Sequence, residues 1–370
     1  MMKRGLAVFM VMTIMVASAA KSLYAQDESI VGSVDTPGTA YGVYVSGSYA
    51  YVADDDKGLQ VIDVGDTEMP AIVGSLAMQY SGRALCVHVS GDYAYVVCDL
   101  SGYFSLEVID ISNHQTPVSV SYFGTQGSPR DLCVSGHYAY VVWESSGTAG
   151  LEGGLQIIDV SDPGNSSLAS STSTGQGAQG VYVSGSYACV VDGGFSGLLV
   201  FDVSDPENPS SVGSINVPYA MKVYISGDYA YVAGADDFQV FDLRDPENPV
   251  LVGSTEGSLG AQSVHVSGGY AYVAAYENGL QVINISNPQS PSVAASVDIP
   301  GNAIDVYVSG FYAYVAASES GLQVIDISSA LTEEDGGDGG NGDTGDDSGT
   351  DEERGTCFFS TAAVDVYMER

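Results

Sequence analysis

Val308-Ser-Gly-Phe-Tyr-Ala-Tyr-Val315 is followed by Gly321-Leu-Gln-Val-Ile-Asp-Ile-Ser328, and together they decide the fold. The first stretch is a hairpin signal: a β-rich run, a Gly-X pair, then a second β-rich run. Gly310 supplies the positive φ that a type II′ turn needs at its first central position. The second stretch is too short and too β-branched for a helix. Seven copies of this unit follow one another, with turn glycines at Gly47, Gly91, Gly136, Gly185, Gly227, Gly268 and Gly310. Spacings of 41 to 49 residues between them are those of a four-stranded propeller blade.

Within the first unit the strands read Gly42–Val45, Tyr49–Ala53, Leu59–Val64 and Ala71–Leu76. Turns such as Asp205-Pro-Glu-Asn-Pro209 join strands three and four, with proline fixing φ for a type I geometry. The array opens on Ile30-Val-Gly-Ser-Val34, a strand four without a unit before it. It closes on a strand three without a strand four. Pairing the orphan with the deficit seals a ring and removes two sheet edges. The expected fold is an all-β, seven-bladed β-propeller of four-stranded blades over residues 26–329, closed by the N-terminal strand.

These hairpins and the Leu-Gln-Val-Ile-Asp runs resemble the LVIVD-repeat family of exported bacterial propellers. The likeness covers residues 30–328, with local departures at Leu198-Leu-Val-Phe-Asp202, Phe238-Gln-Val-Phe-Asp242 and Asn284. It implies a propeller with a cell-envelope or secreted address and brings no catalytic residues.

Outside the array, residues 1–25 read as a signal peptide: Lys3 and Arg4, an apolar run from Leu6 to Val16, then small residues to Ala25. The expected address is therefore export, to the periplasm, the cell surface or the medium, with no transmembrane span in the mature chain. Residues 330–354 read as an acidic Gly/Asp-rich disordered linker. In the tail, residues 355–370, Cys357-Phe-Phe-Ser-Thr-Ala-Ala363 is similar to an ending found on some exported bacterial proteins. It reads either as a sorting tag or as a plain end. A net charge of −36 argues against nucleic acid or anionic lipid as a partner.

Asp63, Asp110, Asp159, Asp202, Asp242 and Asp326 recur once per blade at the end of strand three, so they are expected to cap turns rather than converge on a site. Hairpin register places Leu85 opposite Cys98 and Cys86 opposite Val97, which leaves no short pair to bridge, and buried free thiols are expected. His88 and His265 replace the tyrosine of strand one (Tyr44, Tyr182, Tyr224, Tyr307) and are expected between blades. No Ser-His-Asp or Cys-His arrangement is legible, and no cofactor is called for.

What varies is the entrance to strand one: Tyr41, Leu85, Arg130, Gln179, Met221, Gln262 and Ile304, followed by Gly42, Cys86, Asp131, Gly180, Lys222, Ser263 and Asp305. With strand one innermost, these rim a central channel, and the loops from strand two to strand three open on the same face. The predicted binding set is Tyr41, Arg130, Asp131, Trp143, Gln179, Lys222, Gln262 and Asp305. Trp143 is expected exposed, as a recognition aromatic near Tyr103 and Phe104. Asp54, Asp56, Asp236 and Asp237 are the candidate ligands for a cation such as Ca2+.

The leading functional expectation is a non-enzymatic, monomeric scaffold binding an envelope or extracellular protein or glycan through this face. The alternative is a hydrolase or lyase assisted by a cation at an acidic channel mouth. A third reading gives the partnering to the acidic linker and tail.

Overall fold

The computed structural model describes residues 29–328, apart from 101, 145–152, 176, 194–195, 256 and 258. The segments read from sequence as a signal peptide, linker and tail, and most of the loop after Trp143, lie outside the described residues.

Seven four-stranded antiparallel sheets form the blades of a propeller. Strand one of each blade (Gly42–Ser46, Arg83–Ser90, Ser128–Ser135, Ala178–Ser184, Ala220–Ser226, Ser263–Ser267, Asp305–Ser309) touches strand one of both neighbours, so these seven strands surround the axis. The ring closes as expected: Ile30–Val34 pairs antiparallel with Leu322–Asp326 and completes blade seven.

The hairpin glycines sit at φ of 57° to 61°, and the residues that follow them do not have positive φ, which is the type II′ pattern. The strand-three carboxylates cap as expected. Asp63, Asp110, Asp159, Asp202, Asp242 and Asp326 each accept the backbone N–H two residues on, and Asn284 does the same. Hydrogen bonds from Ser112 hold the Asp110 carboxyl below its ordinary value.

Blades are joined by apolar packing. Each of the seven core clusters draws on two neighbouring blades; Val43, Val52 and Ile62 of blade one pack with Tyr314, Leu322 and Val324 of blade seven. A glycine in strand four serves the same joint. A Cβ on Gly213 would lie 2.1 Å from Pro246 O, so glycine lets the next blade's Asp-Pro turn seat against the strand. The buried glutamine of the Leu-Gln-Val-Ile-Asp run folds the loop ahead of it: Gln60, Gln281 and Gln323 donate to Lys57, Asn278 and Ser320 carbonyls.

Two expectations are corrected. A β-bulge at Leu85 puts Ala84, not Leu85, opposite Cys98, while Cys86 does face Val97. The described cysteines, Cys86, Cys98, Cys133 and Cys189, are free and buried. His88 and His265 lie in the axial channel rather than between blades, because strand one turns that position inward.

Candidate functional site

The channel has two levels. At the lower level one residue per blade (Tyr44, His88, Cys133, Tyr182, Tyr224, His265, Tyr307) lines a cavity of about 130 Å³. Five neighbouring ring pairs around the axis have centroids 4.3 to 4.9 Å apart. Aromatic packing therefore narrows the channel at this level. Burial lowers His88 and His265 to about 4, leaving both imidazoles neutral at pH 7. Burial likewise pushes the Cys133 thiol up to about 12.

Above it, Asp131 and Asp305 join blades. Asp131, 1% exposed, accepts from Val181 N at 2.9 Å in the next blade and from Lys222 Nζ at 2.6 Å across the channel. Asp305 accepts from Val43 N at 3.0 Å and from Ser263 Oγ at 2.5 Å. Gly42 and Gly180, the residues before these amides, let the following blade's strand one approach closely: a Cβ there would lie 3.2 Å from Cys86 Cα and 2.9 Å from Lys222 Cα. Burial, the largest single influence, favours a neutral amine at Lys222, but Asp131, Cys86 and Asp305 together outweigh it and hold the ammonium above its ordinary value.

The mouth is an open cavity of about 470 Å³ lined by Tyr41, Arg83, Arg130, Gln179, Lys222, Gln262 and Asp305, among others. Bulges position much of its rim. Leu85, Arg130, Gln179 and Met221 are the extra residues in strand one of blades two to five, displaced from the ladder toward the mouth. The Arg130 guanidinium pairs with Glu144, which also accepts from Gln179 Nε2 at 3.2 Å. Gln262 Nε2 donates to Gly260 O at 3.2 Å. Arg83 lies over the Tyr41 ring at 5.7 Å, donates to its hydroxyl at 3.2 Å and pairs with Asp55 at 2.5 Å.

Six of the eight predicted binding residues thus share one cavity, and Asp131 lies just beneath it. Trp143 does not join them. It is 5% exposed, opposite Pro129 and Gly154, and a Cβ on Gly127 would lie 2.4 Å from its ring. Two glycines make room for the indole in the core, so it forms no surface patch with Tyr103 and Phe104. Arg83 escaped the sequence reading, although the scarcity of cations is a signal that finds it. Residues 29–328 contain five Lys and Arg, and three of them line this mouth. The mouth is therefore of mixed charge, not the acidic one expected.

Nor do the predicted cation ligands assemble. Asp54 is fully buried and accepts from Thr36 Oγ1 at 2.6 Å and Gly38 N at 2.9 Å. Burial raises its pKa despite those bonds. Asp56 pairs with Lys57, and Asp237 accepts from Gln239. Asp236 and Asp237 belong to blade five, away from Asp54 and Asp56 in blade one. Among the described residues no three His, Cys, Asp or Glu side chains are grouped as a metal site.

The same face concentrates unusual backbone. Among the described residues the non-glycine positions with positive φ are Asp55, Tyr80, Ser81, Tyr219, Tyr276 and Ser318, all in loops of the mouth face. Tyr80 and Tyr219 are also well exposed, at 75% and 60%.

The family pattern described as LVIVD repeat matches residues 37–77, 81–125, 126–174, 175–217, 219–256, 260–299 and 300–333. No protein of curated function matches the chain. Among solved structures the chain is similar to a putative 6-phosphogluconolactonase from Bacteroides uniformis, at 16% identity and a TM-score of 0.64 over 78% of this chain and 91% of that one. It is similar to a functionally unknown protein from Desulfotomaculum acetoxidans, at 15% identity and a TM-score of 0.61 over 81% and 94%. BamB from Moraxella catarrhalis aligns at 15% identity and a TM-score of 0.54 over 79% and 83%. Identities this low speak for the fold alone.

Proposed function

The chain belongs to the LVIVD repeat family, and from that footing we propose that it is an exported, non-enzymatic recognition propeller. It binds an envelope or extracellular partner, protein or glycan, through its channel-mouth face. The observation that supports this best is the mouth cavity itself. Its polar lining differs from blade to blade, whereas the turns of the opposite face repeat, as in Asp205-Pro-Glu-Asn-Pro209 and Asp245-Pro-Glu-Asn-Pro249. Packing alone does not require such variety, and variable loops on a rigid repeat scaffold are where specificity resides. The left-handed, exposed Tyr80 and Tyr219 support the same face, because strained backbone gathers at functional surfaces. The signal-like residues 1–25 support export. A cation-assisted hydrolase or lyase has less support, since Asp54, Asp56 and Asp237 already have partners.

Immobilised protein is exposed to fractionated envelope and culture medium, and bound material is compared between variants. Arg130→Ala and Gln262→Ala should reduce capture, and Asp205→Ala on the opposite face should not. Equal loss from the Asp205 variant, with all chains folded, would remove the mouth from the function.

A further inference from the structure

The floor of the mouth has a charge pattern that selects among ligand classes. Lys222 keeps 23% side-chain exposure and makes one hydrogen bond, to Asp131. An ammonium has three donors, so two remain for the cavity. Asp305, which also faces the mouth, uses one oxygen for Val43 N and the other for Ser263 Oγ. Each carboxylate oxygen can accept again. The floor thus offers donors and acceptors side by side, with one ammonium against the two carboxylates Asp131 and Asp305.

On the floor a carboxylate or phosphate meets two carboxylates against one ammonium, with Arg83 and Arg130 at the rim already paired to Asp55 and Glu144, and an ammonium group meets Lys222. A hydroxyl meets neither penalty: it accepts from Lys222 and donates to Asp305. The rim adds the amides of Gln179 and Gln262 and the Arg130 guanidinium. A volume of about 470 Å³ lies within the range of ligand pockets, roughly 300–1,000 Å³. Below the floor the channel narrows from about 470 Å³ to a cavity of about 130 Å³ lined by the aromatic residues, which disfavours threading of a sugar chain. A chain terminus therefore fits better than an internal residue.

We propose that the mouth takes the terminal residue of a neutral glycan, reading adjacent hydroxyls with Lys222 and Asp305. This rests on the mouth being the binding face and names what binds there.

The test is calorimetric titration of the full chain with neutral disaccharides and the methyl glycosides of glucose, mannose and galactose. The corresponding uronates and glucosamine serve as contrasts. At least one neutral sugar should bind, with an affinity that changes little with salt, and blocking its terminal hydroxyls should abolish binding. Lys222→Met should weaken it about tenfold or more, the loss expected for a hydrogen bond to a charged group. Gln262→Ala, at the rim and away from the packed floor, should weaken it several-fold and keeps the test open if Lys222→Met does not fold. Tighter binding of the uronates or of glucosamine overturns the proposal, and so does silence from every neutral sugar. If mouth variants still abolish envelope capture in that case, the binding face stands and only the ligand class falls.

Discussion

Asp305 accepts the backbone N–H of Val43 at 3.0 Å, joining two residues 262 positions apart in the chain. The contact crosses the seam where blade seven meets blade one. Asp131 and Val181 repeat it between blades three and four at 2.9 Å. In both cases a glycine precedes the amide, Gly42 or Gly180, where a Cβ would crowd the following blade's strand one at Cys86 or Lys222.

The seam gives the first prediction. Asp305→Ala leaves the Val43 amide and the Ser263 hydroxyl without their acceptor, which should cost about 1–3 kcal/mol. Asp305→Asn keeps one acceptor oxygen and should cost less. Chemical denaturation of both variants, with amide exchange at Val43, checks the order; an unaffected alanine variant would show that the seam is held by packing alone.

Gly227 stands at φ +58°, and a Cβ there would meet no atom within 4 Å, so the cost of a side chain is conformational and not steric. Gly227→Val should destabilise on the order of 1–3 kcal/mol. Asp228→Ala, beside it, should change stability little, because this turn position holds Ser48, His137 and Phe311 in other blades. Comparable losses from the two variants would contradict the type II′ turn.

Trp143 fills the space above Gly127 and Gly154. Trp143→Ala should lower stability by about 3–5 kcal/mol, the usual range for emptying a large aromatic site. An unchanged melting curve would return Trp143 to the surface.

His88 and His265 titrate near 4 in the folded protein, against an ordinary value of 6.5. Between those values the unfolded chain binds protons that the folded one refuses, so stability falls as pH drops from 6.5 to 4. The loss amounts to roughly 3 kcal/mol per histidine across that window. Tyrosine occupies this position in four blades, so the double variant His88→Tyr, His265→Tyr should flatten the dependence of melting temperature on pH. The capping carboxylates Asp110 and Asp159 contribute equally to both chains and cancel in the comparison. Parallel curves would exclude the histidines.

Sequence by itself determined the ring. Seven hairpins with a glycine at one turn position, an orphan strand at one end and a missing strand at the other admit one closure, and Ile30–Val34 beside Leu322–Asp326 realises it. Turn chemistry was equally legible, because Asp63 and its six counterparts bond to amides only two residues away. The rim was legible as a set of variable positions. Its chemistry was decided in three dimensions. Lys222 meets Asp131 across 91 residues, and Arg83 meets Tyr41 across 42, pairings set by how the blades are placed around the channel. Trp143 shows the same limit from the other side: its neighbour in sequence is a long loop, but its neighbours in space are two glycines that admit it to the core. Local hydrogen bonding is written in adjacent residues, whereas burial and charge pairing depend on the whole ring.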